Sequence, residues 1–276
     1  MRRFDMQVIF FTKFLKGLNP EEIGTVAKEL RFDGLDLAIR QGHCVNPNNV
    51  KEALPKALKT WSQMGLSVPM VTLETSWVDP DQPELQAVYE ACGKAGIPYI
   101  KLGYWTWKPG QPYWAGVRAI RESLSKFRKL GEKYNVCSLV HTHSHACYGS
   151  NAAGAMHLVR GFDPRYVGIY LDPAHLALGG EYLPMALDMV RDYLKMIGVK
   201  NARHIPTTEV GGPRWKVDWC MLSEGLVHWP EVLRLLRDMD YKGPLSVHGE
   251  YSTSEQTAEV LKLVAQDMDY LRPYLA

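Results

Sequence analysis

The strongest constraint on the fold of this chain is an alternation of short apolar runs with longer segments of helical periodicity. Eight runs have the length and residue types of buried strands, and a helical segment or a long loop follows each of them. The predicted strands cover residues 6–11, 34–39, 66–73, 98–103, 136–141, 167–172, 193–200 and 244–250. Eight such units predict an α/β fold in which parallel strands close into a (β/α)8 barrel surrounded by helices.

Helix signals between the runs support this interpretation. Residues 19–22, Asn-Pro-Glu-Glu, combine a capping asparagine, a proline in the first turn and a carboxylate three residues after the cap. Residues 228–240 and 257–271 carry apolar side chains at helical spacing. The composition does not shift abruptly along the chain, so residues 1–276 are predicted to form a single domain.

Charge, cysteine usage and glycine motifs disfavour several functional classes. The formal net charge is +2 and the chain has no long basic run, which argues against nucleic-acid binding. The five cysteines are scattered without a C-x-x-C pair, which argues against a disulfide framework or a zinc ribbon. The Gly-Gly pairs at 179–180 and 211–212 lie outside a G-x-G-x-x-G motif, so no nucleotide cofactor is expected.

Apolar runs are too short for a membrane protein. No run approaches the about 20 residues that a membrane-spanning helix needs. Near the start of the chain the apolar run is Val8 to Phe11, shorter than the roughly 7–15 residues of a signal peptide core. We therefore expect a cytoplasmic protein without membrane contact. The sequence leaves open whether copies of the chain form a homo-oligomer.

Two predicted loops are long and rich in tryptophan. Residues 104–114 follow the fourth strand and residues 201–226 follow the seventh, and long loops in compact domains commonly carry function. In a barrel both would lie at the C-terminal face, where active sites are built. Flat rings suit the C–H faces of a sugar, although such rings also anchor long loops to a barrel. The five tryptophans in these loops are Trp105, Trp107, Trp114, Trp215 and Trp219, of which the first two are predicted to bind substrate.

Polar side chains follow three of the predicted strands where each strand ends. His141 and His143 are two residues apart at the end of the fifth strand, so they face the same way. Asp172 ends the sixth strand, and His248 and Glu250 share a face at the end of the eighth. These groups are therefore predicted to converge at one end of the barrel, where they would carry metal or proton chemistry. His145 is expected to point away as a loop residue.

Four segments resemble the sugar phosphate isomerase/epimerase superfamily, the xylose isomerase-like TIM barrels that include tagatose-type epimerases and inosose dehydratase. They are ELRFDGLDLAIRQGH, GIYLDPAHLALGGE, MIGVKNA and LVHWPEVLRLLRDMDYKGPLSVHGEY. The resemblance covers nearly the whole chain. It implies a divalent metal held by a glutamate, an aspartate, a histidine and a glutamate at the ends of strands five to eight. In the family the two glutamates also exchange protons with the substrate.

This chain departs from the family pattern at three of those four positions. His141 and His248 stand where the two glutamates are expected, and Gly198 stands at the histidine position, while Asp172 is retained. The resemblance therefore implies a metal set of His141, Asp172 and His248, suited to a divalent ion such as Mn, Zn, Fe or Co. The alternative is that the metal was lost together with its ligands.

The resemblance implies an enzyme that removes a proton next to the carbonyl of a keto-sugar or cyclitol. The predicted catalytic groups are His141, His143 and His248 as bases, with Lys200 stabilising the oxyanion. Predicted substrate contacts, besides the two tryptophans, come from Arg40, His175, Arg203 and Glu250. Sugar isomerisation or epimerisation is the first expectation. Elimination or hydration of a keto-glycoside and a non-catalytic carbohydrate-binding role stay open, while a nuclease is disfavoured.

Overall fold

The computed structural model describes residues 6–208 and 211–275. Eight strands form the barrel: β1 (Val8–Phe11), β2 (Gly34–Ala38), β3 (Ser67–Thr72), β4 (Tyr99–Lys101), β5 (Cys137–His141), β6 (Val167–Leu171), β7 (Leu194–Val199) and β10 (Leu245–Val247). They close in the order β1-β10-β7-β6-β5-β4-β3-β2, and neighbouring barrel strands pair in parallel. The predicted (β/α)8 barrel is confirmed, with each strand shorter than its apolar run.

Helices cover the outside of the barrel. They are α1 (Pro20–Glu29), α2 (Val50–Gln63), α3 (Pro83–Ala95), α4 (Tyr113–Tyr134), α5 (Ala152–Val159), α6 (Pro173–Leu178), α7 (Leu183–Val190), α8 (Trp229–Asp238) and α9 (Thr257–Leu271). The predicted start of α1 is confirmed, because Asn19 Oδ1 accepts from the Glu22 amide at 2.9 Å and Glu22 Oε2 accepts from the Asn19 amide at 2.8 Å. No helix within residues 6–208 and 211–275 has the length and apolar character needed to cross a membrane.

Residues 201–226, predicted as a loop, contain an antiparallel hairpin instead. Its strands are β8 (Asn201–Pro206) and β9 (Trp215–Cys220), which pair from Asn201–Cys220 to Pro206–Trp215. The buried Asn201 side chain holds the hairpin base by donating to the Leu222 carbonyl at 2.8 Å and accepting from the Val227 amide at 2.9 Å. A single residue, Lys200, separates β7 from β8, so the sequence showed no boundary between the apolar run of β7 and the start of a second strand.

Side chains that alternate along the strands fill the barrel interior. A small buried cluster there is separate from the larger core between strands and helices. It consists of Ile9, Met70, Cys137, Leu139, Tyr170 and Met196. Residues two positions further along these strands continue the inward face toward the C-terminal end, and that end carries the polar groups described next.

Candidate active site

The inward face of three strands brings the predicted groups together. His141 follows Leu139 on β5, Asp172 follows Tyr170 of β6, and Lys200 follows Gly198 of β7 at the same two-residue spacing. His141 Nε2 lies 3.4 Å from Asp172 Oδ2, and Lys200 Nζ lies 3.4 Å from the same oxygen. The predicted convergence of strand ends five and six is therefore present.

Asp172 is the fully buried centre of this cluster. Its Oδ1 accepts from the backbone amides of Ala174 at 3.0 Å and His175 at 3.3 Å, which caps α6. Burial alone would raise the pKa of Asp172, but the Lys200 ammonium and the surrounding hydrogen-bond donors lower it below its ordinary value. Asp172 is thus a carboxylate with one oxygen committed to the helix and the other directed at His141 and Lys200.

A chain of ion pairs connects this carboxylate to the rim. Lys200 Nζ lies 2.8 Å from Glu250 Oε2, and Lys13 Nζ lies 2.8 Å from Glu250 Oε1. Burial acts to lower the pKa of Lys200, but the Asp172 and Glu250 carboxylates outweigh it and raise that pKa. Trp219 covers the Lys200 ammonium at 4.4 Å from its ring centroid. Lys200 is therefore a charged, fixed cation inside the barrel mouth.

The clustered histidines are neutral at pH 7. Burial, together with the Lys200 charge, lowers the pKa of His248 to about 3 and that of His143 to about 4. Burial likewise lowers the pKa of His141 and His175 well below the ordinary histidine value. Each ring is therefore available as a proton acceptor or as a neutral hydrogen-bonding group.

Hydrogen bonding determines the tautomer of His143. Its Nδ1 lies 3.1 Å from the Ser144 carbonyl oxygen, which is an acceptor, so Nδ1 carries the proton. Nε2 of the same ring is then unprotonated and able to accept a proton. His143 packs between Tyr104 and His175, with ring centroids at 4.2 and 4.0 Å, and these contacts hold its orientation.

Four buried polar atoms of this cluster have no hydrogen-bond partner among the described residues. They are His141 Nε2, Asp172 Oδ2, His175 Nε2 and His248 Nδ1. Buried polar groups without partners are costly and rare in folded proteins. Their accumulation around one carboxylate is typical of a functional site rather than of a packed core.

A cavity of about 390 Å³ opens beside the cluster, within the size range of small-molecule sites. Its lining consists of Phe11, Lys13, Phe14, Arg40, Thr75, Lys101, Tyr104, His143, His145, Lys200, Trp219, His248, Glu250, Tyr251 and Glu255. His145, expected to point away, lines this cavity as an exposed residue with a left-handed backbone at φ 68°.

The predicted site residues divide into three groups by position. Arg40, His143, Lys200, His248 and Glu250 line the cavity. The buried His141, Asp172 and His175 contact the lining residues from behind. The remaining three, Trp105, Trp107 and Arg203, lie outside the lining.

The three outlying residues have other partners. Trp105 lines a separate cavity beside α4, and Trp107 Nε1 donates to the Gln111 carbonyl at 2.9 Å. Arg203 pairs with Asp218 across the hairpin at 2.8 Å. These contacts match the loop-anchoring alternative for the two tryptophans, and Trp219 is the loop tryptophan that lines the main cavity.

Lys101 and Tyr104 are the main groups that the sequence interpretation missed. Lys101 ends β4 and is 2 % exposed, and its Nζ lies 3.1 Å from Tyr104 Oη, which in turn lies 3.0 Å from His141 Nδ1. Lys101 is the last residue of β4, as His141 is of β5, but its partner in the strand register is Leu139. The predicted strand ran on to residue 103, so nothing in the sequence indicated that Lys101 ends it.

The expected metal ligands do not fit a metal ion as they are arranged. Residues 6–208 and 211–275 contain no group of three or more histidine, cysteine, aspartate or glutamate side chains placed to hold one. The Lys200 ammonium lies 3.4 Å from Asp172 Oδ2. A metal ion bound to the same oxygen would lie about 2.0–2.2 Å from it, and the positively charged ammonium would repel that ion. A Cβ at Gly198 would lie 3.0 Å from the same oxygen, which leaves little space for an imidazole there. In this arrangement the predicted ligand Asp172 is a carboxylate neutralised by Lys200, and the set of His141, Asp172 and His248 does not form a metal site as it stands.

Comparisons with known proteins agree with the barrel. A family profile described as the xylose isomerase-like TIM barrel matches residues 25–274. No protein with a curated description matches the chain in sequence. Similar solved structures include the 3-keto-D-glucoside 4-epimerase from E. coli in its apo form, with a TM-score of 0.73 at 16% identity over 97% of this chain and 99% of that one.

Two further structures extend this comparison. A probable 3-DHS dehydratase of petrobactin synthesis from Bacillus anthracis has a TM-score of 0.69 at 17% identity, over 97% of this chain and 99% of that one. A xylose isomerase-like TIM barrel protein from Mycobacterium smegmatis, in complex with magnesium, has a TM-score of 0.70 at 14% identity over the full length of both chains. At these identities the similarity establishes a shared fold.

Proposed function

Because this chain belongs to the xylose isomerase-like TIM-barrel family, we propose that it is an enzyme that removes a proton next to the carbonyl of a keto-sugar or cyclitol. The observation that carries the proposal is the arrangement of His143 and Lys200. A neutral imidazole with a fixed tautomer and a fixed ammonium group line the same cavity. Removal of such a proton needs a base at the carbon and positive charge at the oxygen that becomes an enolate.

His143 is the proposed base. Its protonated Nδ1 is bound to the Ser144 carbonyl, which leaves Nε2 as the acceptor. The lowered pKa keeps the ring in its base form at neutral pH, and a developing enolate stabilises the imidazolium that forms. His141, also predicted as a base, is buried behind the lining and contacts Tyr104 through Nδ1 at 3.0 Å. We therefore assign His141 a positioning role.

Lys200 is the proposed oxyanion group. Its charge is held by Asp172 and Glu250, so it needs no reorganisation when the substrate oxygen becomes negative. In this proposal the lysine side chain supplies the positive charge that the family resemblance would assign to a divalent ion. No step of the proposed reaction passes through a metal.

His248 offers a second proton-transfer group. It lines the cavity directly after β10, its Nε2 contacts Tyr170 Oη at 2.5 Å, and its Nδ1 has no hydrogen-bond partner among the described residues. Epimerisation needs proton removal and return at two faces of a carbon, and two imidazoles support it. Elimination from a keto-glycoside needs one base at the carbon, so the two reactions are separated by their products.

The test is hydrogen exchange in heavy water. Ketohexoses and 3-keto-glucosides, each with and without a carboxylate or phosphate, are incubated with the protein, and deuterium incorporation is followed by NMR. We expect exchange with at least one compound and a loss of about 10²–10⁴-fold in the His143→Asn variant. The matched control is His157→Asn, on the exposed face of α5, which should exchange like the wild type. No exchange across the panel, or full exchange in His143→Asn, contradicts the proposal.

A further inference from the structure

Two cations on one wall of the cavity have no carboxylate partner within residues 6–208 and 211–275. Lys101 ends β4, and Arg40 follows β2. Neither side chain makes an ion pair with a carboxylate among the described residues. Lys101 Nζ donates to Tyr104 Oη at 3.1 Å and lies 4.6 Å from the Tyr104 ring centroid. An almost fully buried ammonium without a counter-charge is an unusual and costly arrangement.

The carboxylate that acts most strongly on Lys101, Asp36, is already bound elsewhere. Asp36, inside the barrel, accepts from Thr72 Oγ1 at 2.6 Å and from Ser246 Oγ at 2.7 Å. Burial raises the pKa of Asp36 to about 6, so part of its charge is lost near neutral pH. Glu255 also lines the cavity but is exposed to solvent, which screens its charge. Glu250 also acts on Lys101, but its two oxygens are paired with Lys13 and Lys200. Among the described residues these carboxylates therefore influence Lys101 without forming an ion pair with it or with Arg40.

Repulsion between the two cations also favours binding of an anion. Burial, and next to it the Arg40 charge, lowers the pKa of Lys101 to about 7. An anion bound between them would remove this penalty for both side chains. In the free protein Lys101 and Arg40 therefore repel each other, and a negatively charged ligand would stabilise both side chains.

Arg40 is held in a geometry suited to an anion. Its Nε donates to the Leu73 carbonyl at 3.1 Å, and its guanidinium carbon lies 5.2 Å from the Phe11 ring centroid. These contacts fix the guanidinium plane and leave the two Nη groups for a ligand. A fixed guanidinium can bind the two oxygens of a carboxylate or phosphate at once.

We propose that the substrate carries an acidic group, a carboxylate or a phosphate monoester, which binds between Arg40 and Lys101 while the reacting carbon faces His143. The identity of the ligand as a sugar derivative rests on the proposed function. Binding of the anion rests on the two unpaired cations alone. The cavity then has two parts, one for the acidic group and one for the proton transfer at Lys200 and His143.

The experiment compares three probes by isothermal titration calorimetry. They are D-gluconate, D-glucose 6-phosphate and neutral D-glucose, titrated into the wild type and into the Lys101→Met and Arg40→Met variants. We expect at least one acid to bind the wild type about tenfold or more tightly than glucose, and each variant to lose about tenfold or more of that affinity. Glucose affinity should stay within about twofold, because the lost interactions involve charge. The tighter of the two acids identifies the group.

Controls separate a charge effect from misfolding and from the proposed reaction. Lys94→Met removes an exposed cation of α3 and should bind the acids like the wild type. Far-UV circular dichroism verifies folding, and Arg40→Met tests the inference even if the buried Lys101→Met misfolds. Equal binding of acids and glucose by the wild type, or unchanged acid binding in folded variants, overturns the inference. Acid binding without deuterium exchange contradicts the proposed function instead.

Discussion

The two walls of the cavity differ in how their positive charges are paired. On the wall built by β7 and β10, Lys200 is paired with Asp172 and Glu250, and Glu250 is paired again with Lys13. On the wall built by β2 and β4, Arg40 and Lys101 are not paired with a carboxylate among the described residues. The first wall is complete without a ligand, whereas the second gains its counter-charge when a ligand binds.

This difference indicates how the work of the site is divided. A charge that must act on the reacting atoms is useful when it is already oriented, since reorganisation during the reaction then costs little. A charge that selects a substrate is useful when the substrate alone satisfies it, because a neutral competitor leaves it unpaired. Lys200 fits the first role, and Arg40 with Lys101 fits the second.

The largest expected effect comes from removing Lys200. Lys200→Met leaves Asp172 and Glu250 as carboxylates without their shared cation, and breaking such a buried pair costs about 3–5 kcal/mol. We expect this loss in the free energy of unfolding, measured by urea denaturation, together with loss of deuterium exchange. Lys195→Met, on the outward face of the same strand, is the control and should stay within about 0.5 kcal/mol. A small effect at Lys200 would mean that the paired wall is not complete in the free protein.

The next effect tests the replacement of a metal by lysine. Wild-type protein should show no shift of melting temperature with Mn²⁺ or Zn²⁺, because the ammonium lies at the Asp172 oxygen. Lys200→Ala removes that cation and leaves Asp172, Glu250 and the neutral rings of His141 and His248 around a space. At a Zn²⁺ concentration 100 times the dissociation constant of the ion, we expect the free energy of unfolding of this variant to increase by about 2.7 kcal/mol. Metal bound stoichiometrically by the purified wild type would restore the original ligand prediction.

A smaller effect concerns pH and involves His143 together with the wall that carries Arg40 and Lys101. His143 must be unprotonated, so kcat/KM should fall as pH decreases through its pKa of about 4. Lys101 must be charged to hold the acidic group, so kcat/KM should also fall as pH rises through its pKa of about 7. The free enzyme should therefore show a bell-shaped profile between these values, and Lys101→Met should lack the upper limb. An upper limb that persists in Lys101→Met would assign it to another group.

The smallest expected effect is at the rim of the paired wall. Lys13 is 36% exposed in its side chain, so solvent screens its pair with Glu250. Lys13→Met should cost about 0.2–1 kcal/mol in urea denaturation, well below the effect of Lys200→Met. Similar losses in the two variants would show that Glu250, rather than burial of Lys200, controls the stability of this wall.

The sequence was sufficient for the barrel and for part of the site. Apolar runs locate strands because burial repeats along them, and the two-residue period assigned His141, Asp172, His248 and Glu250 to inward positions at strand ends. On β4 the same period gives Lys101 the direction of Tyr99, but the predicted strand ran to residue 103 and concealed that Lys101 ends it. Sequence patterns did not reveal the hairpin of β8 and β9, because its first strand follows β7 after one residue.

Tertiary structure decided which inward-facing side chains are in contact and which charged partner each of them has. Long side chains such as those of Lys200 and Arg40 can reach several partners, and the closed barrel selects one partner set among them. That selection made the predicted metal ligand Asp172 a partner of Lys200, and it left Arg40 and Lys101 without an ion pair to any carboxylate that the structure describes. Periodicity determines the direction of a side chain from its own backbone, whereas contacts between strands far apart in sequence depend on how the barrel closes.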